Sequence, residues 1–341
     1  MSMKLQRNKF DKLIFDMDGV ITSEYIYWDT AALTVYELVY SWKYYGRQEI
    51  DREWCHKNVR LLFDTIFCGG RTVRAVKRLG VNTNWDLAYL VFCVSKYLDP
   101  ELTTFDICHF ESVCMFIESM EIQPPELYIG VEGLVATVIP RTPGYFKRSS
   151  GGLWQELLKI FQRWFHGEDA LPGLKAEEQP VLPLEEIKKT LQALKTAGFL
   201  LGIGTGRPRD EIQYPLRMWG LDQFFEPELC AAYDEVAAAE KALGATQPLA
   251  KPHPFVFWKA AFGAEFSDRA LCEGAVPPVR AERCLVVGDA PSDLLAAQAG
   301  GFRFAAVLTG IEREKARPYF EENHADMILD SMLDLREEND D

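Results

Sequence analysis

The first residues whose types and spacing could do chemistry together are Asp16 and Asp18, in the run Lys12-Leu13-Ile14-Phe15-Asp16-Met17-Asp18-Gly19-Val20. The apolar stretch is short and bounded by charge. It reads as a buried strand that runs into a sharp loop at Gly19. Ligands of a parallel sheet bind beyond the carboxyl ends of its strands, and two acids stand at that place here. Held close together, two carboxylates are costly unless a cation neutralises them, and an oxygen-rich site of this kind suits Mg²⁺. By itself Asp-x-Asp-Gly is equally compatible with a strand-terminal Asp that caps the following turn.

Three later segments have the same character. Gly202-Ile203-Gly204-Thr205-Gly206-Arg207 lacks the last spacing of a dinucleotide fingerprint and no early strand-helix-strand context precedes it. A hydroxyl at a strand end, followed by Gly206 and a helix start near Pro208, suits a phosphoryl oxygen, and an ordinary helix-capping Thr fits as well. Arg207, just beyond that turn, could hold a second anionic group of a substrate, or could pair with Asp210 or Glu211 at the helix start. Lys251-Pro252-His253-Pro254 places a cation at a helix entrance, where proline costs no hydrogen bond; His253 reads as part of that entrance and not as a ligand. Val287-Gly288-Asp289-Ala290-Pro291-Ser292-Asp293 again ends a strand on an acid, with a second acid four residues on. Asp289 is placed to share a metal with Asp16, and Asp293 to support that site or Lys251, although an acid at a helix N-terminus is also favoured by the helix dipole.

These residues need elements to position them. Phe199–Ile203, Cys284–Val287 and Phe304–Leu308 read as three more buried strands, and Leu184–Thr196, Arg209–Trp219, Pro254–Phe262 and Pro291–Ala299 as helices between them. Strands alternating with helices of this length imply an α/β fold, a Rossmann-like parallel sheet with helices on both faces. Residues 23–182 look different. They are rich in aromatics, and their apolar residues recur at helical spacing in Asn84–Leu98, Phe105–Met120 and Gly152–Phe165. Leu127–Ile139 is β-branched enough to fit a helix or a strand. The organisation expected is a core of residues 1–22 and 183–341 interrupted by a mostly α-helical insertion, 23–182. The insertion's aromatics fit helix packing better than a recognition surface, with Tyr25, Tyr27 and Trp28 the ones to watch. Leu171–Pro183 reads as the returning connection, Gly263–Ala281 as an irregular loop and Arg336–Asp341 as a frayed acidic tail.

In this order and at these strand exits, the four segments resemble the haloacid dehalogenase superfamily. Asp16-x-Asp18-Gly-Val is like its first motif, Thr205 its second, Lys251 its third and Gly288-Asp289-x-x-x-Asp293 its fourth. The resemblance covers residues 8–22 and about 184–330; the insertion shares only its position, where that superfamily places a helical cap domain. It implies Asp16 as nucleophile forming an aspartyl-phosphate, and Asp18 as general acid and base. It implies Mg²⁺ held by Asp16, the backbone carbonyl of Asp18 and Asp289. The phosphoryl group would lie on Thr205, Gly206 and Lys251, with Arg207 a further candidate. Superfamily members that cleave carbon-halogen bonds lack the second acid, so Asp18 implies a phosphatase acting on a small phosphate monoester. A phosphomutase resembling β-phosphoglucomutase would use the same residues. A non-catalytic scaffold would not need the nucleophile-acid pair.

The bulk properties bound the partners. A net charge of -14 opposes a general nucleic-acid binder, because phosphate backbones would be repelled. A small phosphorylated metabolite sees only local charge and is the partner expected. No apolar run approaches the roughly 20 residues of a membrane span, Met1–Phe10 does not look like a signal peptide, and the eight cysteines contain no CxxC pair. Reduced thiols, no zinc site and a cytoplasmic location follow as expectations. The long insertion suits either a larger lid or a contact between two copies in a homodimer.

Overall fold

The computed structural model describes residues 9–81, 83–168, 171–245 and 247–336. Met1–Asn8 and the acidic tail from Glu337 onward, for which expectations are given above, lie outside the described residues. The chain forms two compact units, Met1–Ser23 with Gln179–Asp341, and Glu24–Glu178.

Eight strands occur among the described residues: β1 (Lys12–Phe15), β2 (Gly167–Glu168), β3 (Leu171–Pro172), β4 (Leu200–Gly204), β5 (Cys230–Ala231), β6 (Cys284–Gly288), β7 (Arg303–Val307) and β8 (Met327–Leu329). Six of them make one sheet in the order β5-β4-β1-β6-β7-β8, parallel throughout. β2 and β3 form a small antiparallel pair in the other unit. Because successive side chains of a strand point to opposite faces, β1 feeds two cores. Leu13 and Phe15 join Leu201, Ile203, Leu285 and Val287 under the helices Leu184–Thr196 and Arg209–Trp219. Ile14 joins Val286, Phe304 and Ala306 under the helices Tyr233–Leu243, Phe255–Phe262 and Pro291–Ala299. Burial on both faces is why these strands read as continuous apolar runs and not as alternating ones.

The chain leaves β1 for β4 and β5 on one side, then returns to β6 on the other side of β1. The order reverses between β1 and β6, and such a reversal opens a crevice at the carboxyl ends of the strands. The two strands are held in register, Phe15 opposite Val287.

The sequence expectations need three adjustments. Leu127–Ile139 resolves as the helix Glu126–Val138, because its buried residues Leu127, Tyr128, Val131 and Val135 fall on one helical face. Gly263–Ala281 is not all loop: Ser267 caps a short helix, Asp268–Cys272, accepting from the Ala270 N–H, and Pro278–Ala281 is a second. β5 and β8 had no usable sequence signal, being two and three residues long.

The unit Glu24–Glu178 is helical apart from β2 and β3 and packs around the helix Tyr25–Tyr40, of which all but Tyr25 is buried. As expected of helix-packing residues, Tyr27, Trp28, Tyr36 and Tyr40 are buried, whereas Tyr25 and, just past the helix, Trp42 are exposed. Most polar side chains of this buried helix are satisfied internally, although the Trp28 indole N–H has no hydrogen-bond partner. Thr30 and Thr34 donate to the carbonyls of Ile26 and Thr30, Glu37 accepts from Arg163 and the Trp164 indole, and Asp29 accepts from Arg60 at 2.7 Å. Burial pushes the Asp29 carboxyl up to about 6, with Arg60 pulling against it.

A raised carboxyl stabilises the fold below its unfolded pKa and loses that contribution as pH rises through the folded one. The difference in unfolding free energy between wild type and Asp29→Asn should therefore fall between about pH 4 and about pH 6, by no more than ~1.4 kcal/mol per pH unit. Urea unfolding of both proteins across that range measures it; a difference that rises with pH would show that the Arg60 pairing outweighs burial.

Candidate active site

The site is built on the ends of β1, β4 and β6. Asp16 follows β1, and its N–H donates to the Val287 carbonyl of β6 at 2.9 Å, so its backbone is still part of the sheet. The chain then turns tightly: the N–H groups of Ile21 and Thr22 donate to Met17 O at 2.8 and 2.9 Å, and Gly19 N–H to Thr22 O at 2.8 Å. Gly19 sits in the left-handed region at φ 71°. A side chain there would also run into the Asp289 carboxylate.

Asp16, Asp289 and Asp293 each present a carboxylate oxygen within 4.8 Å of the others. Lys251 enters this cluster from the segment before the helix Phe255–Phe262. Its Nζ lies 2.9 Å from Asp16 Oδ1 and 2.8 Å from Asp293 Oδ1, over the Phe257 ring. Asp293 is 1% exposed, and its other oxygen accepts the Ala290 N–H at 3.2 Å. Burial pulls the Lys251 ammonium down, but Asp16 and Asp293 together raise it above the ordinary lysine value.

Three carboxylates against one ammonium leave two negative charges in a nearly dry site. Asp16 registers the imbalance. Burial is the main cause of its carboxyl being pushed up to about 7; Lys251 opposes this, and Asp293 and Asp18 add to it. Despite the ion pair with Lys251, Asp16 Oδ1 makes no hydrogen bond of acceptable geometry. Three clustered carboxylates with only one ammonium among them are what a hard divalent cation with oxygen ligands fits. Asp16 and Asp289 are the side chains able to hold one, with Asp293 anchored on Lys251.

Thr205 follows β4 and is buried, its N–H donating to Ala231 O of β5 at 3.1 Å. Gly206 is exposed, and a side chain there would meet nothing within 4 Å. Arg207 has a main partner that the sequence reading did not name, and its Nη1 also lies 3.4 Å from the Glu211 carbonyl. Its guanidinium is 3% exposed and lies on the Asp18 carboxylate, with Nε 3.1 Å from both oxygens and Nη2 2.5 Å from Oδ1. The side chain turns back across the loop because Asp18, on the neighbouring strand's exit, offers a charged partner. Asp18 is thus drawn to Arg207, and its carboxylate is not among those that cluster with Asp16.

Sequence reasoning missed Thr309 and Gly310, which follow β7. The Thr309 hydroxyl donates to the Gly19 carbonyl, and a side chain at Gly310 would collide with Asp289 Oδ2. The only signal for them was a Thr-Gly pair at a strand exit, where no charged group draws the eye.

Residues 11–301 match the haloacid dehalogenase-like hydrolases, and the chain belongs to that family. The pyrophosphatase PpaX of Bacillus mycoides is 26% identical over 204 residues, covering 60% of this chain and 78% of that protein. PpaX of Bacillus cereus is 26% identical over 223 residues, covering 65% and 86%. A crystal structure from a structural-genomics programme matches over 96% of this chain and 97% of its own, with a TM-score of 0.75 and 26% identity. Among the described residues no helix is long and apolar enough to cross a membrane.

Gly310 has no left-handed backbone to protect, so only the space taken by Asp289 forbids a side chain there. Gly310→Ala should therefore rotate Asp289 away and weaken Mg²⁺ binding by ~10-fold or more in isothermal titration calorimetry. Unchanged affinity would remove Asp289 from the cation site.

Proposed function

We propose that this chain is a Mg²⁺-dependent phosphohydrolase that cleaves a small phosphate monoester through an aspartyl-phosphate on Asp16. The observation that carries the proposal is the convergence of Asp16, Asp289 and Asp293 around Lys251 at the strand-order reversal of the sheet. A network serving structure alone would not need three carboxylates gathered on a single ammonium at the crevice.

Asp16 and Asp289 would hold Mg²⁺, which would supply charge neutralisation for the cluster and polarisation of the phosphoryl group. In the first half-reaction an Asp16 carboxylate oxygen attacks phosphorus and the bond to the leaving oxygen breaks. Asp18 gives that oxygen a proton. Lys251, fixed between Asp16 and Asp293, offers positive charge to the equatorial oxygens, and the Thr205 hydroxyl a donor. In the second half, water loses its proton to Asp18 and attacks the same phosphorus. The bond to Asp16 breaks, releasing phosphate and restoring both acids. Substrate choice is assigned to the inserted helical unit, the counterpart of a cap domain.

A panel of sugar, nucleotide and glycolate phosphates, with pyrophosphate added because relatives carry that activity, tests the proposal in the presence of Mg²⁺. Asp16→Asn should abolish phosphate release by ~10⁴-fold or more, and chelation of the metal should do the same reversibly. Release that survives Asp16→Asn would sink the covalent mechanism. Isomerised product with little free phosphate would identify a phosphomutase instead.

A further inference from the structure

Arg207, whose main partner Asp18 is one the sequence reading did not name, is built into the loop on every side. Its backbone N–H donates to Thr205 Oγ1 at 3.3 Å and its carbonyl accepts from the Tyr233 N–H at 2.9 Å, so the chain is pinned before the side chain begins. All three guanidinium nitrogens then meet protein. Nε spans both oxygens of Asp18, Nη2 reaches Asp18 Oδ1 and Thr22 Oγ1 (2.8 Å), and Nη1 lies 3.4 Å from Glu211 O. Thr22 closes the circuit: its hydroxyl lies 3.0 Å from Met17 O and 3.3 Å from Asp18 Oδ1. Arg207 is 3% exposed, whereas the Asp18 side chain is 27% exposed. Asp18 thus keeps a solvent access that Arg207 lacks, while both its oxygens are engaged by the guanidinium.

We propose that Arg207 is a positioning residue that fixes the carboxyl plane of Asp18, and that it makes no contact with the substrate. The inference rests on the role of Asp18 proposed above. A carboxyl group on a loop turns freely about its last torsion, whose energy profile is broad. Proton transfer needs one oxygen held within hydrogen-bonding reach of the leaving oxygen in the first half-reaction and of water in the second. A planar guanidinium on both oxygens supplies that restraint. A lysine, with a single compact charge, would hold the carboxylate's distance and leave its plane free.

The test compares Arg207→Lys, Arg207→Gln, Asp18→Asn and the double variant Asp18→Asn/Arg207→Gln, all with Mg²⁺. Two phosphate esters are used, an alkyl phosphate with a poor leaving group and 2,4-dinitrophenyl phosphate, whose leaving group needs no proton. Both Arg207 variants should lower kcat/KM for the alkyl ester by ~10²-fold. The pre-steady-state burst of dinitrophenolate should change by less than ~3-fold, and turnover after the burst should slow because water activation still needs Asp18. The double variant should be little worse than Asp18→Asn alone, since the two residues act as one unit. Thr22→Val, which removes the brace and spares the guanidinium, should move the same readouts less, and it reports if Arg207→Gln does not fold. Equal losses for both esters, additive effects with Asp18→Asn, or a rise in KM with kcat preserved would each overturn the inference; the last would return Arg207 to the substrate. If Asp16→Asn abolishes hydrolysis while the Arg207 variants match wild type, only this inference fails. If hydrolysis survives Asp16→Asn, the covalent mechanism itself fails.

Discussion

The rest of the catalytic unit depends on the position of one ammonium group. Lys251 stands between Asp16 and Asp293, two carboxylates that neither solvent nor distance relieves. Burying an unpaired carboxylate costs several kcal/mol. Without that lysine the end of β1 and the start of the helix Pro291–Ala299 could not be brought so close. With it the cluster still carries more carboxylates than cations, and that excess is what a divalent cation would offset. The same electrostatic deficit shapes the fold locally and prepares it chemically.

The sheet makes this arrangement stiff. β1 lies between β4 and β6, and its three apolar residues are wholly buried, shared between two cores. The Asp16 backbone is still hydrogen-bonded to β6, so the first acid emerges from a strand paired on both sides. Glycines then allow the loops to close: Gly19 and Gly310 both lie against the Asp289 carboxylate, and no side chain could stand at either position without moving it. Close approach of backbone to carboxylate is bought here by leaving out side chains, a cheaper route than adding further partners.

Asp18 belongs to a second circuit, with Arg207 and Thr22, next to the cluster but separate from it. Two acids one residue apart in the sequence therefore have different electrostatic neighbours. Asp16 faces other acids across one lysine, and Asp18 faces a bidentate guanidinium. Two carboxyls given different surroundings can take different roles, one as nucleophile and one in proton transfer.

Much of this was legible in the sequence, for local physical reasons. Buried parallel strands leave uninterrupted apolar runs, glycine and proline mark where they stop, and acids placed at those stops have few uses. The pattern was enough to find β1, β4, β6 and β7, the helices that flank them, and Asp16, Thr205, Lys251, Asp289 and Asp293 as the residues to examine. Signals that extend over too few residues were lost, as with β5 and β8, and helix competed with strand in Glu126–Val138 until burial on one face resolved it. The partner of each charged group was also out of reach. Asp293 had two possible roles, and the reading of Arg207 included Glu211, which its Nη1 reaches at the carbonyl, but not Asp18, whose carboxylate takes Nε and Nη2. Ion pairing is decided by distance between elements remote in the chain, and Arg207 meets Asp18 only because β4 lies beside β1. Local periodicity and turn chemistry determined which residues stand at the strand ends; strand order determined which of them touch.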